Sequence, residues 1–134
     1  MIDLHDIADG DLVIVSSLNN SPYYAHAAVY AGGRFYHFSE SGAHCDSYDF
    51  FIVQPDRRIF RVEHGTRSAK EIEAYYEANK WRKWNRLTYN CEHFAYGAAF
   101  GSEKSPTLRG YMALAFTLVG SLAAILMTIK RRRI

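Results

Sequence analysis

The stretch "YYAHAAVYAGGRFYHFS", residues 23–39, decides the fold. It contains two short runs that are rich in aromatic and β-branched residues, and the pair Gly32 and Gly33 separates them. A Gly-Gly pair between two such runs is typical of the tight turn of a β-hairpin. The sequence therefore predicts two antiparallel strands here, each of which carries one histidine.

These histidines, His26 and His37, occupy informative positions. In a strand, the side chains of one face recur at every second residue. A hairpin that turns at Gly32 and Gly33 pairs position 28 with position 37 and places position 26 near position 39. His26 and His37 are then diagonal neighbours on one face, within reach of a single thiol. A lone histidine in a strand is more often structural, so it is the pair that indicates chemistry.

Three further strands are predicted from apolar and β-branched runs. They are "DLVIVSS" at residues 11–17, "FFIVQ" at residues 50–54 and "RRIFRVE" at residues 57–63. The turn signal Pro55-Asp56 separates the last two. These strands and the hairpin predict an antiparallel sheet.

Two helices follow the strands along the chain. Ser68 and Glu71 form the pattern of a capping box, which predicts that "SAKEIEAYYEANKWRKW" is a helix of about four turns. A second helix is predicted from near Asn90 to about Phe100, where Gly101 stops it. The predicted fold class is α+β, an antiparallel sheet packed with helices.

The string "NCEHFAYG", residues 90–97, places Cys91 at the start of that second helix. A thiol is a useful nucleophile only as the thiolate, which a helix N-terminus stabilises and a nearby imidazole can generate. His93 is an unsuitable base because two residues on a helix correspond to about 200° of rotation. The strand pair His26 and His37 is therefore the predicted partner of Cys91.

The remaining histidines give weaker signals. His5 and His64 lie near the ends of predicted elements and have no obvious partner in the sequence. His44 lies beside Cys45 in a predicted loop, but further metal ligands at suitable spacing are missing from the sequence pattern. No metal and no cofactor are predicted.

Length and charge limit the broad class. A chain of 134 residues supports one domain with a real hydrophobic core. Four of its 16 basic residues lie in the tail 130–133, which leaves 12 basic and 14 acidic residues, a net charge of −2, in residues 1–129. A body of that sign argues against nucleic-acid binding.

Residues 111–129, "YMALAFTLVGSLAAILMTI", contain no charged side chain. Nineteen helical residues span roughly 28 Å, close to the thickness of a bilayer core. We therefore predict a catalytic domain over residues 1–107 and a single-pass membrane anchor with a basic tail over residues 108–134. The alternatives are a buried core helix and a hairpin-like or interfacial tail.

The polar opening "MIDLHDIADG" shows no signal peptide, so the body is expected to face the cytosol. Basic residues flank both ends of the apolar segment, with Lys104 and Arg109 before it, so charge alone leaves the orientation open. Two cysteines do not make a disulfide framework, which agrees with a reducing compartment. A Cys45–Cys91 bridge is the alternative.

Three strings together resemble a known family: "DGDLVIVSS", "YYAHAAVYAGGRFYHFS" and "NCEHFAYG". They are similar to the lecithin:retinol acyltransferase-like (LRAT-like) proteins, and among these to the H-Ras-like suppressor group of phospholipase/acyltransferases. The resemblance covers residues 9–101 and implies a circularly permuted papain-like (NlpC-like) fold, in which the histidines precede the cysteine. Ala27 departs from the tryptophan that follows the first histidine in many relatives.

The resemblance implies a role for each matching residue. Cys91 corresponds to the nucleophile, His26 to the general base and acid, and His37 to the residue that orients the first histidine. Asn90 and Glu92 are expected to brace the site, and the Cys91 N–H is a candidate oxyanion donor.

The implied activity is Cys-dependent phospholipase A1/A2 and acyltransferase chemistry on a membrane phospholipid. A thioester on Cys91 passes the acyl group to water, an amine or a lysolipid. Aromatic residues near the site are either contacts for acyl chains or core packing: Tyr23, Tyr24, Phe35 and Phe38. Two other functions remain open, a cysteine peptidase or amidase and a non-catalytic membrane-anchored interaction protein, as in a virus-encoded branch with the same motifs.

Overall fold

The computed structural model describes residues 6–17, 26–52 and 57–132. Its strands are β1 Leu12–Ser17, β2 His26–Ala31, β3 Arg34–Ser39, β4 Gly42–Ser47 and β5 Arg57–Glu63. Its helices are α1 Tyr48–Ile52, α2 Ala69–Asn79, α3 Cys91–Phe100 and α4 Pro106–Arg132. The strands form one antiparallel sheet in the order β4-β3-β2-β1-β5. The predicted α+β class is confirmed.

The β2–β3 hairpin has the predicted register. Ala28 pairs with His37, and the chain turns at Gly32 and Gly33, whose φ angles are 58° and 77°. Two consecutive positive φ angles characterise the turn whose twist matches that of a hairpin, and glycine adopts them without steric cost. The glycine pair therefore sets which side chains of β2 and β3 share a face.

The sheet is covered on both faces. β1 contributes Leu12 and Ile14 to one core and Val13 and Val15 to the other, which explains its unbroken apolar run, because a strand buried on both faces has no polar alternation. The α3-side core contains buried residues of the sheet, α2 and α3, among them Leu12, Val29, Phe38, Ile72 and Phe94. The α1-side core contains Val13, Val15, Ala28, Phe35 and Phe51.

Two parts of the sequence prediction are wrong between residues 40 and 54. Residues 42–47, predicted as loop, form β4, which reaches β3 through a turn at Glu40 and Ser41. Residues 50–52, predicted as strand, belong to α1, because Phe51 packs parallel to Phe35 at a ring-centroid distance of 4.6 Å. A short apolar run does not distinguish a strand from a buried helical turn. Residues 53 and 54 of that predicted strand lie outside the described residues.

The α2 helix begins as predicted and ends early. Ser68 is its N-cap, and Glu71 completes the capping box. The helix stops at Asn79, whereas the sequence predicts helix to residue 84. Two side chains form hydrogen bonds with backbone carbonyls of its last turn: Asn79 Nδ2 donates to Tyr75 O at 2.8 Å, and Trp81 Nε1 donates to Ala78 O at 2.6 Å.

The chain divides into two units, Met1–Lys104 and Ser105–Ile134. In the second unit, Pro106–Arg131 is long and apolar enough to cross a membrane, judged by length and composition. Three of its hydroxyl side chains bond to their own helix: Thr117, Ser121 and Thr128 each donate to the carbonyl four residues earlier, at 2.9 Å. The predicted boundary lies three residues after the end of the first unit.

Candidate active site

The start of α3 presents Cys91 as the first residue of a capped helix. Asn90 is the N-cap, and its side-chain oxygen accepts hydrogen bonds from the N–H groups of Glu92 at 3.0 Å and His93 at 3.1 Å. His93 Nδ1 accepts from the Asn90 N–H at 3.2 Å, which completes a capping box. Asn90 therefore braces the site as expected, and His93 serves the cap. Burial lowers the pKa of His93.

Cys91 is half-buried, and opposing effects act on its thiol. Burial raises its pKa and is the largest effect, while hydrogen bonding to the backbone of Ala27 lowers it. The Glu92 carboxylate raises the pKa further, and the N–H groups of Glu92 and Cys91 itself lower it. The net shift is upward, so the resting thiol keeps its proton at neutral pH and needs a base to become a nucleophile.

The backbone contact with Ala27 locates the thiol relative to the sheet. Ala27 is the second residue of β2 and directly follows His26. Cys91 packs against the α3-side core, whereas the rings of His26 and His37 contact Phe51 of the α1-side core at centroid distances of 6.2 and 4.9 Å. The thiol and His26 therefore both lie at the first residues of β2.

The two strand histidines contact each other directly. His26 Nε2 lies 2.9 Å from His37 Nδ1, and the rings are perpendicular with centroids 5.0 Å apart. His37 is 7% exposed. The predicted diagonal pairing on one face is confirmed. The catalytic roles of His26, His37 and Cys91 stay predictions.

Asp46 extends this pair into a chain of three residues. Its Oδ2 lies 2.6 Å from His37 Nε2, on the side of the ring opposite His26. A carboxylate only accepts, so His37 Nε2 carries the hydrogen, and Nδ1 of a neutral His37 is then an acceptor. His26 must therefore donate through Nε2, which leaves Nδ1 as its basic nitrogen. The hydrogen bonds thus run in one direction, from His26 through His37 to Asp46; this chain of residues is called the relay below.

Sequence reasoning missed Asp46 because it missed β4. In the observed register, His44 lies opposite His37 and Asp46 lies opposite Phe35, so both point to the face that carries His37. The His44 ring stacks on the His37 ring with centroids 4.9 Å apart. Ser39 and Ser41 hold His44 through hydroxyl contacts of 3.0 and 2.8 Å to its Nε2. The sequence does contain one signal for this strand: His44 and Asp46 are two residues apart, the spacing of side chains on one face of a strand.

The other candidate residues lie apart from this chain of contacts. His64 has a partner after all, since its Nδ1 lies 2.9 Å from the buried carboxylate of Asp11. Cys45 and Cys91 are both free thiols, so the alternative of a bridge between them is wrong. Phe35 and Phe38 are fully buried core residues. His5, Tyr23 and Tyr24 lie outside the described residues.

Within residues 6–17, 26–52 and 57–132, no group of three His, Cys, Asp or Glu side chains is arranged to hold a metal ion. The arrangement in this part of the chain is a helix-capped thiol that bonds to the backbone of Ala27, and a directed chain of imidazoles that begins at the preceding residue, His26. It has the components of acyl transfer through a cysteine. Comparison with known proteins adds nothing further: neither a protein-family model, nor a curated protein, nor a solved structure matches the chain.

Proposed function

We propose that this chain is a membrane-anchored phospholipase A and acyltransferase that works through a thioester on Cys91. The observation that carries the proposal is the directed relay His26–His37–Asp46, which begins one residue before Ala27, the backbone contact of the Cys91 sulfur. A thiol with a raised pKa needs a neighbouring base, and the relay leaves a basic nitrogen on His26.

In the first half-reaction, Nδ1 of His26 takes the proton of Cys91 while the sulfur attacks the carbonyl carbon of an acyl ester. The carbonyl oxygen becomes an oxyanion, which the Cys91 N–H at the start of α3 stabilises. When the tetrahedral intermediate collapses, the carbon–oxygen bond of the ester breaks and His26 returns its proton to the leaving alcohol. A lysophospholipid leaves, and the acyl group remains on Cys91 as a thioester.

In the second half-reaction, His26 takes a proton from the acceptor, which attacks the thioester carbon. Water gives a free fatty acid, an amine gives an amide, and a lysolipid gives a new ester. The sulfur leaves as a thiolate and recovers its proton from His26. Two functions of the relay support both steps: His37 holds the orientation of His26, and the Asp46 carboxylate stabilises positive charge on the imidazoles.

The order of the elements supports the finer fold assignment. The histidine strands precede the cysteine helix, as expected for a circularly permuted papain-like (NlpC-like) domain of the LRAT-like type. The apolar α4 supports attachment to the membrane that contains the substrate. The cytosolic side is the orientation that we propose for the domain. Full-length protein should then resist extraction by alkaline carbonate, whereas quantitative release would contradict a spanning helix.

The decisive experiment combines product analysis with detection of the intermediate. Purified full-length protein is incubated with phosphatidylcholine that carries a different acyl chain at each position, and released fatty acid and transferred acyl groups are followed by mass spectrometry. The intact protein should gain one acyl mass that hydroxylamine removes. Absence of both products and acyl adduct in folded wild-type protein would reject the proposal.

A specific observation favours a second candidate, a non-catalytic interaction protein. Burial raises the pKa of Cys91, as it does for an inert structural cysteine. In that case Cys91 should react with iodoacetamide at the same rate before and after His26→Ala. The proposed enzyme predicts a slower reaction in that variant, because it has lost the base.

A further inference from the structure

The loop between α2 and α3 combines exposed apolar side chains with positive charge. Residues 80–88, "KWRKWNRLT", contain no acidic residue, and we call them the basic–aromatic loop. They are basic although residues 1–129 as a whole have a net charge of −2. The basic side chains of the loop are Lys80, Arg82, Lys83 and Arg86.

Two large apolar side chains of this loop face solvent. Trp81 is 76% exposed and Leu87 is 64% exposed. The other tryptophan of the chain, Trp84, packs against the α3-side core and fixes the middle of the loop to the domain. Trp81 and Leu87 are therefore exposed on a loop whose middle is held against the domain.

The four basic side chains divide into two classes. Lys80 pairs with Glu77, and Arg82 lies 2.7 Å from Glu103, so their charge is compensated. Lys83 and Arg86 are exposed, and neither forms an ion pair with another residue in the described part of the chain. Two uncompensated positive charges thus lie within the same segment as two exposed apolar side chains.

The backbone of the loop is braced from within. The Asn85 side-chain oxygen accepts hydrogen bonds from the N–H groups of Leu87 at 2.9 Å and Thr88 at 3.0 Å. Asn85 and Tyr89 exchange both backbone hydrogen bonds, at 2.8 and 2.9 Å. The Arg82 guanidinium lies 3.3 Å from the centre of the Tyr89 ring. The backbone of the loop is therefore preorganised, which lowers the entropy cost of binding a partner.

We propose that the basic–aromatic loop docks on a phospholipid surface that contains anionic headgroups. Tryptophan is favoured at the interface between headgroups and acyl chains, and each lysine or arginine near an anionic leaflet adds about 1 kcal/mol of attraction. Trp81 and Leu87 supply the apolar contact, while Lys83 and Arg86 supply the charge that matches the headgroups. Cys91 follows the loop by three residues, so docking would bring the candidate nucleophile to the lipid surface.

The fluorescence of Trp81 tests this contact directly. Full-length protein is reconstituted into phosphatidylcholine vesicles with and without phosphatidylserine, each containing a brominated phosphatidylcholine that quenches tryptophan on contact. We expect quenching in the phosphatidylserine vesicles that weakens as salt is added, since salt screens exposed charges. Trp81→Phe, which changes an exposed side chain and leaves Trp84 in place, should remove the quenched component.

Charge reversal identifies the source of the attraction. The double variant Lys83→Glu/Arg86→Glu should lower the quenching of Trp81 in phosphatidylserine vesicles to its level in phosphatidylcholine alone. Binding should fall on the order of fivefold for each basic residue lost, which corresponds to about 1 kcal/mol. The matched control Arg58→Glu/Lys70→Glu makes the same change in net charge at exposed positions elsewhere and should leave the quenching intact.

Two results would overturn the docking proposal: Trp81 unquenched in phosphatidylserine vesicles, or equal loss of quenching in the control variant. Both are independent of turnover, although the proposal deepens the lipid function proposed above. Quenching without any acyl adduct on Cys91 would reject the enzyme and retain the docking loop. An acyl adduct with unquenched Trp81 would retain the enzyme and reject the loop.

Discussion

Two regions of the domain each hold one free thiol, and they differ in what surrounds the sulfur. Cys91 begins a capped helix and bonds to backbone N–H groups beside the relay. Cys45 lies on the edge strand β4, where Arg34 NH1 is 3.8 Å from its sulfur. Burial and a hydrogen bond to Cys45 raise the pKa of Tyr36 to about 12, so that hydroxyl stays protonated. Both thiols are half-buried, so exposure does not separate them; the nearby donors and bases do.

The largest expected difference between the two regions is in turnover. Cys91→Ser should lower phospholipid hydrolysis on the order of a thousandfold or more, because a hydroxyl is much harder to ionise than a thiol. Cys45→Ser should stay close to wild type. Product release measured on folded variants checks this prediction. An active Cys91→Ser together with an inactive Cys45→Ser would show that Cys45, and not Cys91, is the nucleophile.

Within the Cys91 region, the histidines should separate by function. His26→Ala should abolish acylation of Cys91, since the thiol loses its base. His37→Gln should leave a measurable remainder, because an orienting residue contributes less than the base itself. His93→Ala should chiefly lower stability through loss of the capping box. A folded His93→Ala variant without activity, together with an active His26→Ala, would contradict this reading.

Asp46 offers a sharper test because its effect depends on hydrogen-bond direction. Asp46→Asn can present an N–H to His37 Nε2, which would reverse both imidazoles and place the hydrogen of His26 on Nδ1. We expect a loss on the order of a hundredfold, at least as large as that of Asp46→Ala, which removes the carboxylate without reversing the bonds.

Imidazole ¹⁵N shifts provide a readout of the reversal that does not depend on activity. In the wild type, the hydrogen should be on Nε2 of both His26 and His37. Unchanged tautomers in a folded Asp46→Asn variant would contradict the reversal and show that the Asn oxygen accepts from His37 Nε2.

The smallest expected effect is on pH dependence. Burial raises the pKa of Cys91, so its alkylation rate should increase with pH through a window above the ordinary thiol value of about 8.5. In that window the unfolded chain has lost the thiol proton and the folded chain retains it, so the free energy of unfolding decreases as pH rises. Iodoacetamide kinetics in a Cys45→Ser background check the first statement. A midpoint below the ordinary value would indicate a resting thiolate.

The sequence was sufficient for features that depend on local chemistry. Gly32 and Gly33 specify the turn that brings His26 and His37 together, and Ser68 and Asn90 specify two helix starts. In each case one or two residues have conformations or hydrogen bonds that few others can replace.

Features that depend on tertiary packing were missed. The β4 stretch "GAHCDS" has partly buried side chains on both faces and so lacks an apolar alternation, which hid both the strand and Asp46. The helical turn at Phe51 is stabilised by packing of its ring on Ala28 of β2 and Phe35 of β3 in the α1-side core. These partners are distant in sequence, so the local pattern does not indicate the turn. The early end of α2 depends on side chains that compete for its last carbonyls.

The hydroxyl groups of α4 affect the free energy of its transfer from water into the hydrocarbon core of a bilayer. A hydroxyl without a hydrogen-bond partner is costly to dissolve in hydrocarbon. Thr117, Ser121 and Thr128 carry their partners with them, because each hydroxyl is already bonded to the carbonyl of the preceding turn. The helix therefore needs no second helix to satisfy these three groups when it enters a bilayer as a single segment.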